Sequence, residues 1–156
     1  YWYKPAELPK DKFKGFIADF KKVVKSNETL SKQVDIETKT QDLLVFNGIG
    51  NQAYETFVFD RIQPLRPNEH KSLEYFNFCK TARMEYDMAV CCALIIAKKH
   101  FKTKITINSD GANEPEMWID SKRMCQRTLG YGIKFDFSNG SGVFRRSQNP
   151  RTDFEE

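Results

Sequence analysis

Histidine is scarce in this chain, with two residues, and so is cysteine, with four. Long apolar runs are missing as well. The longest uncharged apolar stretch is Met88–Ala97, and a bilayer-spanning helix needs about twenty such residues. No transmembrane helix is expected. The opening Tyr1-Trp2-Tyr3-Lys4-Pro5 has no apolar core followed by a small-residue cleavage site, so no secretory leader is expected either. Cys79, Cys91, Cys92 and Cys125 include no Cys-x-x-Cys pair, and His70 and His100 lie far apart. That spacing argues against a structural zinc site and a disulfide framework. Reduced, core-placed thiols in a leaderless chain fit a cytoplasmic protein. Lys80-Thr81 lacks the preceding glycines of a nucleotide-hydrolase phosphate loop. No Ser–His or His–carboxylate arrangement stands out, so no catalytic residue, metal or cofactor is assigned.

Aromatic residues are abundant. Thirteen Phe, six Tyr and two Trp stand among 156 residues, with 40% hydrophobic and 29% charged residues overall. Such a chain can bury a packed core and is not disordered. Its net charge of +4 is too small for a dedicated nucleic-acid coat.

Phe13, Phe16, Ile17, Phe20, Val23 and Val24 recur at helical steps, with lysines opposite, and predict an amphipathic helix over 10–25. Residues 26–40 read as loop. Leu43-Leu44-Val45-Phe46 and the alternating 54–60 segment predict two strands of a hairpin around Gly48-Ile49-Gly50-Asn51. Residues 73–79 predict a third strand and 104–108 a fourth. Between them, 84–100 reads as a helix apolar all round, closed by Lys98, Lys99 and His100, where cations suit a helix C-terminus. Asn113 and Glu116 have capping-box spacing ahead of a helix that carries Trp118 and Cys125 and ends at Gly130. Residues 132–138 predict a fifth strand.

Two strand–helix–strand units of this kind usually make crossovers between parallel strands. The expected fold is therefore α/β, with α+β as the alternative. It would have one mixed sheet of about five strands, an N-terminal hairpin, two crossovers and a buried central helix. One domain spans the chain, with an extended arm at 1–9 and a polar tail at 139–156.

Ligands of such sheets bind beyond the carboxyl ends of the parallel strands. The loops that leave those ends carry Lys80, Thr81 and Arg83, then Tyr86 and Asp87, and on the other side Ser109, Asp110 and Asn113. Lys80 supplies a point charge and Arg83 a planar fork for phosphate or carboxylate. Thr81 and Ser109 offer hydroxyls, Tyr86 a ring for stacking, and Asp87 and Asp110 acceptors for sugar hydroxyls or ligands for a divalent ion. Both loops open helices, whose N-terminal N–H groups suit an anion. By strand phase, Glu55 and Lys80 are candidates to pair at the core margin. The same residues also have a structural reading, with Thr81 as an N-cap and Ser109-Asp110-Gly111 as a turn.

Phe78-Cys79-Lys80-Thr81-Ala82-Arg83, Tyr86-Asp87, the helix ending Ala97-Lys98-Lys99-His100-Phe101, and Asn108-Ser109-Asp110-Gly111 form a pattern. Together with Asn47-Gly48 and Glu55-Thr56-Phe57 they resemble small uncharacterised proteins of bacteriophages and prophages that carry a Cys-Lys-Thr-x-Arg motif. The likeness covers about 43–130. This chain has Met84-Glu85 where that family has a basic residue and a proline. The resemblance implies a phage-type accessory protein in a bacterial host's cytoplasm and names no substrate.

The residues and the resemblance together lead to a binder of an anionic, nucleotide-like ligand, used to sequester a host defence signal. The alternative is a protein-interaction or virion-associated role with a host protein as partner. A metal-dependent phosphoesterase or nuclease using Asp87 and Asp110 is the third. Oligomerisation is left open.

Overall fold

In a computed structural model, which describes residues 1–112, 114 and 116–146, the apolar stripe of the first helix is sealed. Phe13, Phe16, Ile17, Phe20, Val23 and Val24 of α1 (Lys10–Ser26) are all buried. Asn27 closes this helix by donating its side-chain amide to the Val23 carbonyl at 2.6 Å. The polar stretch after it is not the expected loop. It forms α2 (Glu28–Gln33) and β2 (Val34–Ile36). Leu30 and Val34 are the buried anchors, too sparse among polar neighbours to show a period.

The hairpin forms as expected. β3 (Leu43–Gly48) pairs antiparallel with β4 (Phe57–Asp60), in the register Leu44↔Phe59 and Phe46↔Phe57. These four side chains are fully buried. β2 adds to the other edge of β3, with Val34 opposite Gly48.

The single five-stranded sheet does not form. The strands make three small sheets, ordered β2-β3-β4, β5-β1-β6 and β7-β8, and the class is α+β. The N-terminal segment is itself a strand, β1 (Trp2–Lys4), lying between β5 (Tyr75–Asn77) and β6 (Thr106–Ile107) and antiparallel to both. β5 and β6 are therefore parallel to each other, and the helix between them, α3 (Asp87–Phe101), makes a crossover. Among the described residues the expected second crossover is absent. α4 (Glu116–Leu129) is followed by β7 (Phe135–Asp136), which pairs with β8 (Val143–Phe144) as a separate ribbon. Phe135 is drawn onto Trp118 of α4, with ring centroids 5.5 Å apart, and β1 already occupies the edge of β6.

The central helix is as apolar in its surroundings as in its sequence. Every residue of α3 from Ala89 to Ala97 is buried, between α1 and α4. Aromatic stacking ties the arm to this core. Trp2 lies 5.3 Å from Phe59 and near-parallel to it, and Phe59 stacks in turn on Phe101. Arg61 fastens the arm to the hairpin by donating to Asp42 at 2.6 Å and to Glu7 at 3.0 Å.

Candidate functional site

Because β5 and β6 are parallel, the segments after them leave the sheet at one end. The 79–83 and 109–111 loops meet there across a cleft of about 650 Å³, within the range of about 300–1,000 Å³ usual for small-molecule sites. Lys80, Thr81, Arg83, Asp87, Ser109 and Asp110 line it. Six of the residues singled out by sequence thus converge, although the sheet that brings them together is not the one expected.

The first loop is shaped by Glu55. Its carboxylate accepts the Lys80 backbone N–H at 2.6 Å, and its own N–H donates to the Lys80 carbonyl at 3.3 Å. The Glu55–Lys80 pairing therefore runs through the backbone. The ammonium group is left over the Phe78 ring, 6.0 Å from the centroid. Tyr86 donates its hydroxyl to the Glu55 carbonyl at 2.6 Å. Asn47 clamps the segment before Glu55, accepting from the Tyr54 N–H at 3.1 Å and donating to the Tyr54 carbonyl at 3.1 Å. A Cβ on Gly48 would run into the Gln52 carbonyl and the Tyr86 ring, so glycine is required there. Asn47, Gly48, Glu55, Cys79, Lys80 and Tyr86 form one connected frame.

Thr81 is not a helix cap. It is buried and donates its hydroxyl to Asp87 at 2.7 Å. Between them the chain turns sharply. Met84 N–H donates to the Thr81 carbonyl at 3.0 Å, and the two central residues, Ala82 and Arg83, have φ of 52° and 59°. Positive φ at both centres is the pattern of a type I′ turn, which favours Gly, Asn and Asp. Two adjacent side chains are held in a region costing of order 1–3 kcal/mol each.

The first N–H groups of α3 are engaged within the chain and are not free for an anion, contrary to expectation. At the start of α3, Asp87, Met88 and Ala89 donate to Met84, Glu85 and Tyr86. Before α4, Gly111 donates to the Ser109 hydroxyl at 3.0 Å, Ala112 to the Ser109 carbonyl and Met117 to Glu114. At the α3 end of the cleft an anion must therefore be held by side chains. Asn113, with its expected capping and binding roles, lies outside the described residues.

Tyr86 is not brought to the cleft. Its ring is fully buried, and its phenol pKa is raised, first by burial. The rings that do line the cleft are Tyr1, Tyr54, Phe76 and Phe78. Strand phase in the sequence put Phe76 and Phe78 on one face, and the structure turns that face outward. Tyr75 points to the core, so Phe76 and Phe78 point away from it.

Among the described residues, Lys80 and Arg83 have no salt-bridge partner. Cys79 is no nucleophile at neutral pH, because burial pushes its pKa up to about 12, with Glu55 adding to the effect. Among the described residues no group of three or more His, Cys, Asp or Glu side chains is placed to hold a metal ion. Away from the cleft, His100 bonds Asp19 at 2.8 Å, and Asp19 also accepts from the Tyr131 hydroxyl at 2.8 Å. This His–carboxylate pair was not legible in the sequence, since its partners stand on different helices. Lys98 donates to the Ile105 carbonyl, and Lys99 sits over Tyr131 and Phe144. The cations at the end of α3 are thus occupied within the fold.

The cleft combines two unpaired cations, exposed rings, hydroxyls and one exposed carboxylate, Asp110. That set can neutralise a phosphate, cover a flat base and accept from sugar hydroxyls. No family model matches the chain, and no curated protein or solved structure matches it. Among the described residues no helix is long and apolar enough to cross a membrane.

Proposed function

We propose that this protein binds a small phosphate-bearing ligand of nucleotide type in the cleft between the 79–83 and 109–111 loops. The observation that carries the reading is the convergence of unpaired Lys80 and Arg83 with the Phe76 and Phe78 rings in one cavity of nucleotide size. Lys80 and Arg83 take the phosphate, the rings take the base, and Ser109 and Asp110 face the sugar. The strained turn at Ala82 and Arg83 supports this placement, because it sets Arg83 in the cleft that Lys80 also lines. The role proposed for the cleft is capture of the ligand. An accessory protein of phage type, sequestering a host nucleotide signal, is the setting in which capture alone is useful.

The test is a calorimetric titration against mono-, di- and cyclic nucleotides. Arg83→Ala removes a charge-assisted contact and should weaken binding by roughly ten- to a hundred-fold. Neutralising Lys98 and Lys99 together should leave it almost unchanged, since both are engaged elsewhere. Absence of binding by every nucleotide, or greater damage from the Lys98/Lys99 change, would overturn the reading and favour the protein-interaction role.

A further inference from the structure

We propose that the outer face of the β5-β1-β6 sheet is a stacking surface for single-stranded nucleic acid that continues from the cleft. It rests on the cleft being a phosphate site and extends it from one nucleotide to several.

The register defines the face. Tyr3 stands opposite Phe76 on β5 and Thr106 on β6. One step on, Tyr1 is paired through its backbone with Asn108. The alternate residues Trp2, Lys4, Tyr75 and Ile107 are buried, so Tyr1, Tyr3 and Phe76 share the outward side. Phe78 follows two residues after Phe76. The rings form one continuous row, with centroids 5.2 Å apart for Tyr3–Phe76, 5.6 Å for Tyr1–Phe76 and 5.7 Å for Phe76–Phe78. Tyr3, Phe76 and Phe78 are 37%, 47% and 52% exposed. The solvent face of a small antiparallel sheet is ordinarily polar. A contiguous exposed aromatic group there marks a binding surface.

Charge selects the occupant. The row ends at Phe78 under the Lys80 ammonium, with Arg83 in the same cleft. Both cations lack salt-bridge partners among the described residues. Rings interleaved with free cations are what a single strand requires, because every base has a stacking face and every nucleotide a phosphate. Sheet aromatics of this kind hold about two or three bases. An apolar protein partner would use the rings but leave Lys80 and Arg83 without a counter-charge. Asp110, the exposed carboxylate in the cleft, is placed for sugar hydroxyls and limits how much phosphate that end can take.

The experiment is fluorescence anisotropy with labelled oligouridylates and oligothymidylates of one to six nucleotides, on the full chain, with Tyr3→Ala as the deciding variant. Tyr3 lies on the shelf but does not line the cleft. Affinity should rise with length up to three or four nucleotides. Tyr3→Ala should weaken the tetranucleotide by roughly five- to a hundred-fold, leave mononucleotide binding unchanged, and be rescued by Tyr3→Phe. The salt dependence should be shallow, with a log–log slope of about −1.4 for two neutralised phosphates. Unfolding by heat, followed alongside, checks that the variant is folded. A tetranucleotide bound no tighter than a mononucleotide overturns the shelf and leaves the cleft standing. Failure of both ligands overturns both. Tetranucleotide binding that survives Tyr3→Ala places the strand elsewhere and also overturns the proposal.

Discussion

Ala82 and Arg83 set stability against binding within a single turn. Both hold a positive φ, which an L side chain adopts at a cost of about 1–2 kcal/mol and glycine adopts freely. Ala82→Gly should therefore stabilise the protein by about 0.5–1 kcal/mol, the relief being partly offset by the greater freedom of glycine in the unfolded chain. Arg83→Gly should give a similar gain while weakening nucleotide binding as much as Arg83→Ala does. Denaturant midpoints and titrations on the two variants check this, and a loss of stability in both would show that the turn is not strained. Nothing local in Thr81-Ala82-Arg83-Met84 signals a type I′ turn. The conformation is imposed from outside, by Glu55 holding Lys80 on one side and Thr81 bonded to Asp87 on the other.

Among the elements, α3 was the most legible and the strands the least. A helix apolar on every side has to be covered on every side. Leu94, 3% exposed at its centre, makes the measure of that. Leu94→Ala should cost ~2–5 kcal/mol, as large-to-small truncations in a core do, read from chemical denaturation. A loss below about 1 kcal/mol would mean that α1 and α4 do not close on α3 as described. Strands of two or three residues, such as β5, β6 and β7, carry too few alternations to specify a partner. β1 was hidden for a further reason. Its inward residues are Trp2 and Lys4, and a lysine does not advertise a buried position.

For the molecule as a whole, buried titratable groups set the alkaline limit. Lys4 is fully buried, and its Nζ has no hydrogen-bond partner. Burial lowers its pKa from 10.5 to about 8, against the opposing pull of Asp60. Below pH 8 the amine is charged in both states and the burial cost is present in full. From there upward the folded state loses the proton first, so stability rises with pH until the unfolded value of 10.5. The thiols act in the opposite sense. Burial raises Cys79 and Cys91 above their unfolded value of 9.0, and Cys125 is raised by the neighbouring Cys92 thiol and by burial. Their contribution is complete below that pH and lost above it, as the unfolded chain ionises. Stability under reducing conditions should rise from about pH 8 and turn over above about pH 9. Lys4→Met should reduce the rise, to which Lys98 and Lys122 also contribute through burial, and keep the fall. Denaturant midpoints across that range decide, and an unchanged rise in the variant would remove Lys4 as its source.

What the chain determined by itself was whatever depends on local period and composition. The α1 stripe, the buried central helix, the β3–β4 hairpin and the clustering of Lys80, Thr81, Arg83, Ser109 and Asp110 on two loops all follow from residues close in sequence. Tertiary structure decided the rest. Placing Trp2–Lys4 between β5 and β6 made those strands parallel and turned Phe76 and Phe78 outward beside the cleft. Folding Tyr86 onto Glu55 took away the ring that sequence had offered for stacking. Those outcomes depend on contacts between segments tens of residues apart. The short-range pattern of a strand states which face is apolar, but not which neighbour will cover it.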